Sequence, residues 1–204
     1  MRLPEVPEGP RHREEGQVLS SADLVRGLLR AVGEDPDREG LLKTPDRVVR
    51  ALEFLTKGYH EDPSAILNSA LFSEEYSEMI VLKDLDFFTL CEHHMLPFFG
   101  KAHVAYIPSK KILGVSKLAR LFEVFARRLQ VQERLTTQVA TSLMNAIDPQ
   151  GVGVVVEAEH LCMRMRGVEK QNSVVVTSCM LGTFRTRQET REEFTTLIRS
   201  RNGR

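Results

Sequence analysis

The segment MIVLKDLDFFTLCEHHMLPFFGKAHVAYI, residues 79–107, holds two strand patterns with a cluster of metal-capable side chains between them. Residues 79–88 and 99–107 read as strands, the second alternating through Ala102, Val104 and Tyr106, and Pro97 interrupts the connection. Downstream, Ser116 is placed to cap a helix with Leu118, Leu121, Phe122, Phe125 and Leu129 at helical spacing. A second helix starts near Glu133, with Leu135, Val139, Leu143 and Ile147 every four residues, and stops at Asp148-Pro149-Gln150-Gly151. Valine-rich residues 152–161 and 173–182 supply the next two strands, and a last helix covers 188–200. The order strand, strand, helix, helix, strand, strand predicts an α+β domain on an antiparallel sheet.

Upstream, residues 1–16 carry Pro4, Pro7 and Pro10 among charges, the composition of a mobile arm. Ser20 or Ser21 can cap a helix with Leu24, Val25, Leu28, Leu29 and Val32 on one stripe. Thr44-Pro45 opens another, with Val48, Val49, Leu52 and Leu55 turned inward and Gly58 as its stop. A short helix fits near Pro63–Leu71. The chain thus divides into an arm (1–16), a helical N-terminal region (17–75) and a main domain (76–204).

The chain has 204 residues, of which 42% are hydrophobic, enough for one substantial domain with a buried core. Lys+Arg and Asp+Glu both number 28, a balance that argues against a general nucleic-acid binder while leaving room for a local basic pocket. No apolar run is long enough to span a bilayer, and the N-terminal residues lack the apolar core of a signal peptide. Three cysteines, Cys91, Cys162 and Cys179, do not make a disulfide framework. The expectation is a cytoplasmic protein with reduced thiols and no membrane or nucleic-acid partner.

Cys91 and His94, three apart in Cys91-Glu92-His93-His94, can act as two ligands on one turn, and Cys162 of His160-Leu161-Cys162 can supply a third. Two thiolates and an imidazole match a catalytic zinc set with a fourth position left open. His93 and His160 stand one or two residues from these donors, where proton transfer would be needed. The competing reading is a closed structural site that takes His93 or His160 as its fourth ligand. Should the strand at 152–161 continue to Cys162, residues 160 and 162 would share a face. Cys179 reads as a core or packed surface thiol, His103 as structural, and Arg127, Arg128 and Arg134 as solvated or inter-subunit cations.

Gly114-Val115-Ser116-Lys117-Leu118-Ala119-Arg120 places two cations three apart at a helix start, a combination suited to phosphate, although single surface cations are usually just solvated. Arg166, four residues past Cys162, can approach from the second cluster. Glu133 offers two acceptors to the ring N–H and exocyclic amine of a guanine edge, and Gln132 can pair with a carbonyl. The plainer alternative is that Glu133 simply favours the N-terminus of its helix.

Taken together, DFFTLCEHH (86–94), GVSKLAR (114–120), RRLQVQERLT (127–136) and EAEHLCMRMRG (157–167) resemble GTP cyclohydrolase I, and the resemblance covers about residues 20–200. It implies Cys91, His94 and Cys162 as zinc ligands and His93 and His160 as the acid/base pair. It makes Gln132 and Glu133 guanine readers, and puts Ser116, Lys117, Arg120 and Arg166 on the ribose-triphosphate. Arg47 resembles an arginine that reaches a neighbour's phosphates. The implied fold is the tunnelling fold, whose small α+β subunits join their sheets into a barrel. The implied assembly is a homodecamer of two pentamers with active sites at subunit boundaries. The implied reaction opens the guanine imidazole ring of GTP, releases formate, rearranges the ribose and closes 7,8-dihydroneopterin triphosphate, the first step towards pterins and tetrahydrofolate. Alternatives are another tunnelling-fold enzyme acting on a pterin or deazapurine, and a zinc-stapled assembly module without catalysis.

Overall fold

The computed structural model describes residues 19–68, 71–166 and 172–200, so the expected arm at 1–16 lies outside the described residues. The residues up to Leu52 form one compact unit and those from Glu53 onward another. The first unit holds α1 (Ser21–Ala31) and most of α2 (Thr44–Leu55). Ser20 caps α1 through a reciprocal capping box with Asp23. The α1 stripe is largely uncovered within its own unit, Leu24 being 58% and Leu28 62% exposed.

The second unit continues with a 3-10 turn (Lys57–His60), α3 (Pro63–Asn68), β1 (Leu71–Phe72), β2 (Ile80–Cys91), β3 (Pro97–Ile107) and β4 (Ile112–Leu113). Then come α4 (Val115–Ala126), β5 (Leu129–Gln130), α5 (Gln132–Ile147), β6 (Gly151–His160), α6 (Leu161–Arg164), β7 (Val175–Gly182), α7 (Thr183–Thr186) and α8 (Gln188–Arg199). The main sheet has the order β5-β2-β3-β6-β7, and β1 pairs with β4 separately. All pairs among β2, β3, β6 and β7 are antiparallel, as the α+β reading requires, while β5 joins β2 in parallel.

Alternation along the strands explains the layering. Phe87, Thr89 and Cys91 of β2 point into the core, whereas Phe88 between them is 54% exposed. Leu118, Leu121, Phe122 and Phe125 of α4 and Leu135, Val139, Leu143 and Ile147 of α5 meet that inner face. Strand β6 is buried on both faces, because Phe184 of α7 and Phe194 of α8 pack with Val155 on the opposite side. Gly153 makes room for those rings: a Cβ there would lie 2.6 Å from Phe184 Cδ1.

Two local expectations are corrected. Helix α4 is capped by Gly114, not Ser116, which already lies inside the first turn. Strand β2 runs on to Cys91 and β3 begins at Pro97, so the sheet comes closer to the histidine pair than the alternation pattern indicates.

Candidate active site

One end of the sheet gathers the candidate groups. Leu90 of β2 faces Pro97 of β3 and Leu129 of β5, while Phe98 of β3 faces His160 of β6. Cys91 and His160, the last residues of their strands, therefore stand at the same end. The registered β2–β3 pairing ends at Leu90 and Pro97. Strand β6 stops at His160, so alternation does not put Cys162 on the same face; a single helical turn carries it instead.

Beyond Cys91 the chain doubles back tightly. The Cys91 N–H donates to the Leu96 carbonyl at 2.9 Å, and the His94 and Met95 N–H groups return to the Cys91 carbonyl at 3.4 and 2.8 Å. This turn brings His94 Nδ1 within 3.8 Å of Cys91 Sγ. Ligand atoms of Cys91, His94 and Cys162 all lie within 4.8 Å of one another. The edges of a tetrahedral zinc site with these donors are roughly 3.5–3.8 Å, so the cluster is close to binding geometry. Burial, reinforced by the neighbouring Cys91 sulfur, pushes the Cys162 thiol up, and Arg166 acts in the opposite direction. A cation between the two sulfurs would remove that penalty, so the donor set fits a thiophilic divalent metal.

The two flanking histidines sit in unlike surroundings. The His93 side chain is 62% exposed, with Nε2 4.0 Å from Glu92 Oε1. It lies 3.8 Å from Cys91 Sγ through Nδ1, outside the mutually close group of three. His160 is half-buried and stacked on Phe98, with ring centroids 4.4 Å apart and planes within 4°. Burial lowers its pKa below the ordinary histidine value, and the charge of Glu133 opposes that shift. Gln132 Oε1 is 2.7 Å from His160 Nε2.

Helix α5 starts beside this cluster because β5 docks on β2, with the Glu92 N–H donating to the Gln130 carbonyl at 3.0 Å. Glu133 is exposed in the first turn. Gln132 is buried, and both of its amide hydrogens go to the main-chain carbonyls of Val156 and Val175. In this arrangement the amide hydrogens of Gln132 are used within the fold.

The family model described as GTP cyclohydrolase I matches residues 21–199. This chain belongs to the GTP cyclohydrolase I family. A GTP cyclohydrolase 1 of Chlorobaculum tepidum is 60% identical over 188 residues, spanning 92% of this chain and 84% of that protein. One from Porphyromonas gingivalis is 63% identical over 171 residues, 84% of this chain and 88% of the relative. The Rattus norvegicus protein of the same name is 54% identical over 193 residues, 94% and 80% of the two chains. Membership of the GTP cyclohydrolase I family makes the chain an enzyme. Among the described residues no helix is long and apolar enough to cross a membrane.

Not every expected site residue of this family member reaches the cluster. Strand β3 runs away from it to Ile107, opposite Gly151 at the start of β6, and α4 begins beyond that far end. Ser116 and Lys117 therefore lie at the other end of the sheet from Cys91. Arg120, one turn further on, lines a cavity of about 430 Å³ with Lys57, Asp62 and Glu123. Arg166 is exposed on the cluster side, just after α6. Arg47 is exposed in the N-terminal unit.

Sequence reasoning missed three residues around the site. Arg134 forms a two-pronged ion pair with Glu92 of the ligand turn, and is not simply solvated. Phe98 supplies the surface on which His160 stacks. Arg128 is half-buried, its Nε donating to the carbonyls of Gly58 and Val124. The link between Arg134 and Glu92 has no local signature, since the partners lie on different elements.

Proposed function

We propose that this chain binds GTP and opens the imidazole ring of its guanine by hydrolysis, releasing formate and then forming 7,8-dihydroneopterin triphosphate. The observation that supports this most strongly is the convergence of Cys91, His94 and Cys162 to within 4.8 Å with His93 and His160 beside them. Zinc is the metal those donors suit, and when bound it supplies Lewis-acid activation of water near neutral pH. The set of three leaves room for a reactant, as a closed structural site does not.

The remaining work falls to the chain's own side chains. His160, held by stacking and a hydrogen bond, is suited to pass a proton to or from the guanine imidazole, while exposed His93 can exchange protons with solvent. Glu133 offers both carboxylate oxygens to the N–H pair on the guanine edge. Arg166, with Ser116, Lys117 and Arg120, is assigned to the triphosphate, which anchors the purine without reacting. Because Ser116 and Lys117 lie at the far end of their own sheet, we assign them to the site of a second copy. A homo-oligomer, in our reading a decamer of two pentamers acting in the cytoplasm, would complete each site at a subunit boundary.

The deciding experiment incubates the protein with GTP and follows formate, with and without a chelator. Chelator-sensitive formate release together with a fluorescent oxidised pterin is the expected result. Absence of formate from zinc-loaded protein would overturn the reading.

A further inference from the structure

The amide of Gln132 determines which nitrogen of His160 is available for chemistry. Its Nε2 lies 3.0 Å from the Val156 carbonyl oxygen and 2.9 Å from that of Val175. Carbonyl oxygens only accept, so the amide nitrogen must face them. The amide oxygen is thereby turned to His160 Nε2, 2.7 Å away. That oxygen also only accepts, so Nε2 carries a hydrogen whether the ring is neutral or charged. Neutral His160 is then the Nε2–H tautomer, with its lone pair on Nδ1. Phe98, fully buried and parallel to the ring at 4.4 Å, holds the ring plane.

We propose that Gln132 is a positioning residue that holds His160 through Nε2–H, so that Nδ1 is the ring nitrogen presented to GTP. This rests on the function proposed above. Because Nε2 stays bonded to Gln132, Nδ1 is the ring nitrogen left to meet the guanine imidazole. The same two carbonyl contacts also stitch β6 to β7, so a purely mechanical role is the rival to be separated.

A double-mutant cycle on the zinc-loaded, full-length protein makes the separation, using Gln132→Leu, His160→Ala and the pair. Formate release, KM for GTP and melting temperature are measured for each. Gln132→Leu is expected to slow formate release by about 10- to 100-fold, the usual cost of losing a partner that orients a histidine. KM should stay nearly unchanged, and in the His160→Ala background the substitution should cost nothing more. Equal losses in both backgrounds would mean that Gln132 acts mechanically, and a raised KM at constant kcat would mean that it contacts guanine. Either overturns the proposal. Wild-type formate release from His160→Ala would defeat the functional reading of His160 and this inference with it. Gln132→Met, similar in length and flexible, serves in the same cycle if the leucine variant does not fold, with the same outcomes deciding.

Discussion

Arg134 grips Glu92 with both guanidinium prongs, Nη1 2.6 Å from Oε2 and Nη2 2.7 Å from Oε1, across 42 residues of sequence. The Arg134 hydrogen bonds hold the Glu92 carboxyl below the usual range. Glu92 sits between Cys91 and His93, so this fork ties the first turn of α5 to the turn that presents the metal donors. The pair is solvent-exposed, and such pairs add little to global stability. Its expected effect is local. Arg134→Lys, which cannot make the parallel two-bond contact, should weaken zinc binding with little change in melting temperature. Competition with a chromophoric chelator measures this, and wild-type zinc affinity in the variant would exclude the tether.

Removing the metal should separate chemistry from folding. The two core clusters draw mainly on apolar residues of the sheet and of α4, α5, α7 and α8. Chelated protein is therefore expected to release no formate yet still unfold cooperatively, and to regain activity on adding zinc. Cys162→Ala should reproduce the loss, since it removes one of three donors. Collapse of the cooperative transition on chelation would identify a structural staple instead.

The parts of the site visible in the sequence are those whose partners are close in the chain or distinctive in type. Cys91 and His94 are three residues apart on one turn, and Cys162 follows a histidine in a short motif, so residue chemistry alone points to them. Likewise α5 shows its core stripe because Leu135, Val139, Leu143 and Ile147 repeat at helical spacing. What was not legible depends on register. His160 meets Phe98 because β3 and β6 align there, and Gln132 reaches His160 because β5 places the start of α5 at that sheet end. Strand β5 has two residues, too few for any periodic signal. The remote position of Ser116 and Lys117 follows from the direction of β3, which no local pattern encodes.

Glu133 is exposed in the first turn of α5 beside Gln132 and free to point outward while its neighbour points in. If it reads the guanine edge, Glu133→Ala should raise KM for GTP by about 10- to 100-fold, equivalent to a hydrogen bond to a charged group of roughly 1.5–3 kcal/mol. Glu133→Gln should recover part of that, because one acceptor remains. Steady-state kinetics with GTP and with inosine triphosphate, which lacks the exocyclic amine, makes the comparison. A loss larger for GTP than for inosine triphosphate, which keeps the ring N–H, supports the contact, and unchanged KM in Glu133→Ala would remove it.

His103 ties stability to pH away from the active site. It is buried in β3, and its Nδ1 accepts the Asp84 N–H at 3.2 Å where β2 bulges, Asp84 itself having φ 58°. Burial lowers its pKa from the ordinary 6.5; Asp84 and Glu157 push it back up, and Lys83 and Lys101 add to the lowering. With the folded-state value depressed, the unfolded chain binds the proton more readily. Stability is then full above the unfolded value and is lost as pH falls through it towards the folded value. His103→Gln keeps an acceptor for the Asp84 N–H but cannot be protonated in this range. The variant should show a shallower fall in melting temperature from about pH 7 downward than the parent chain. An identical acid slope in both proteins would assign that destabilisation to other groups.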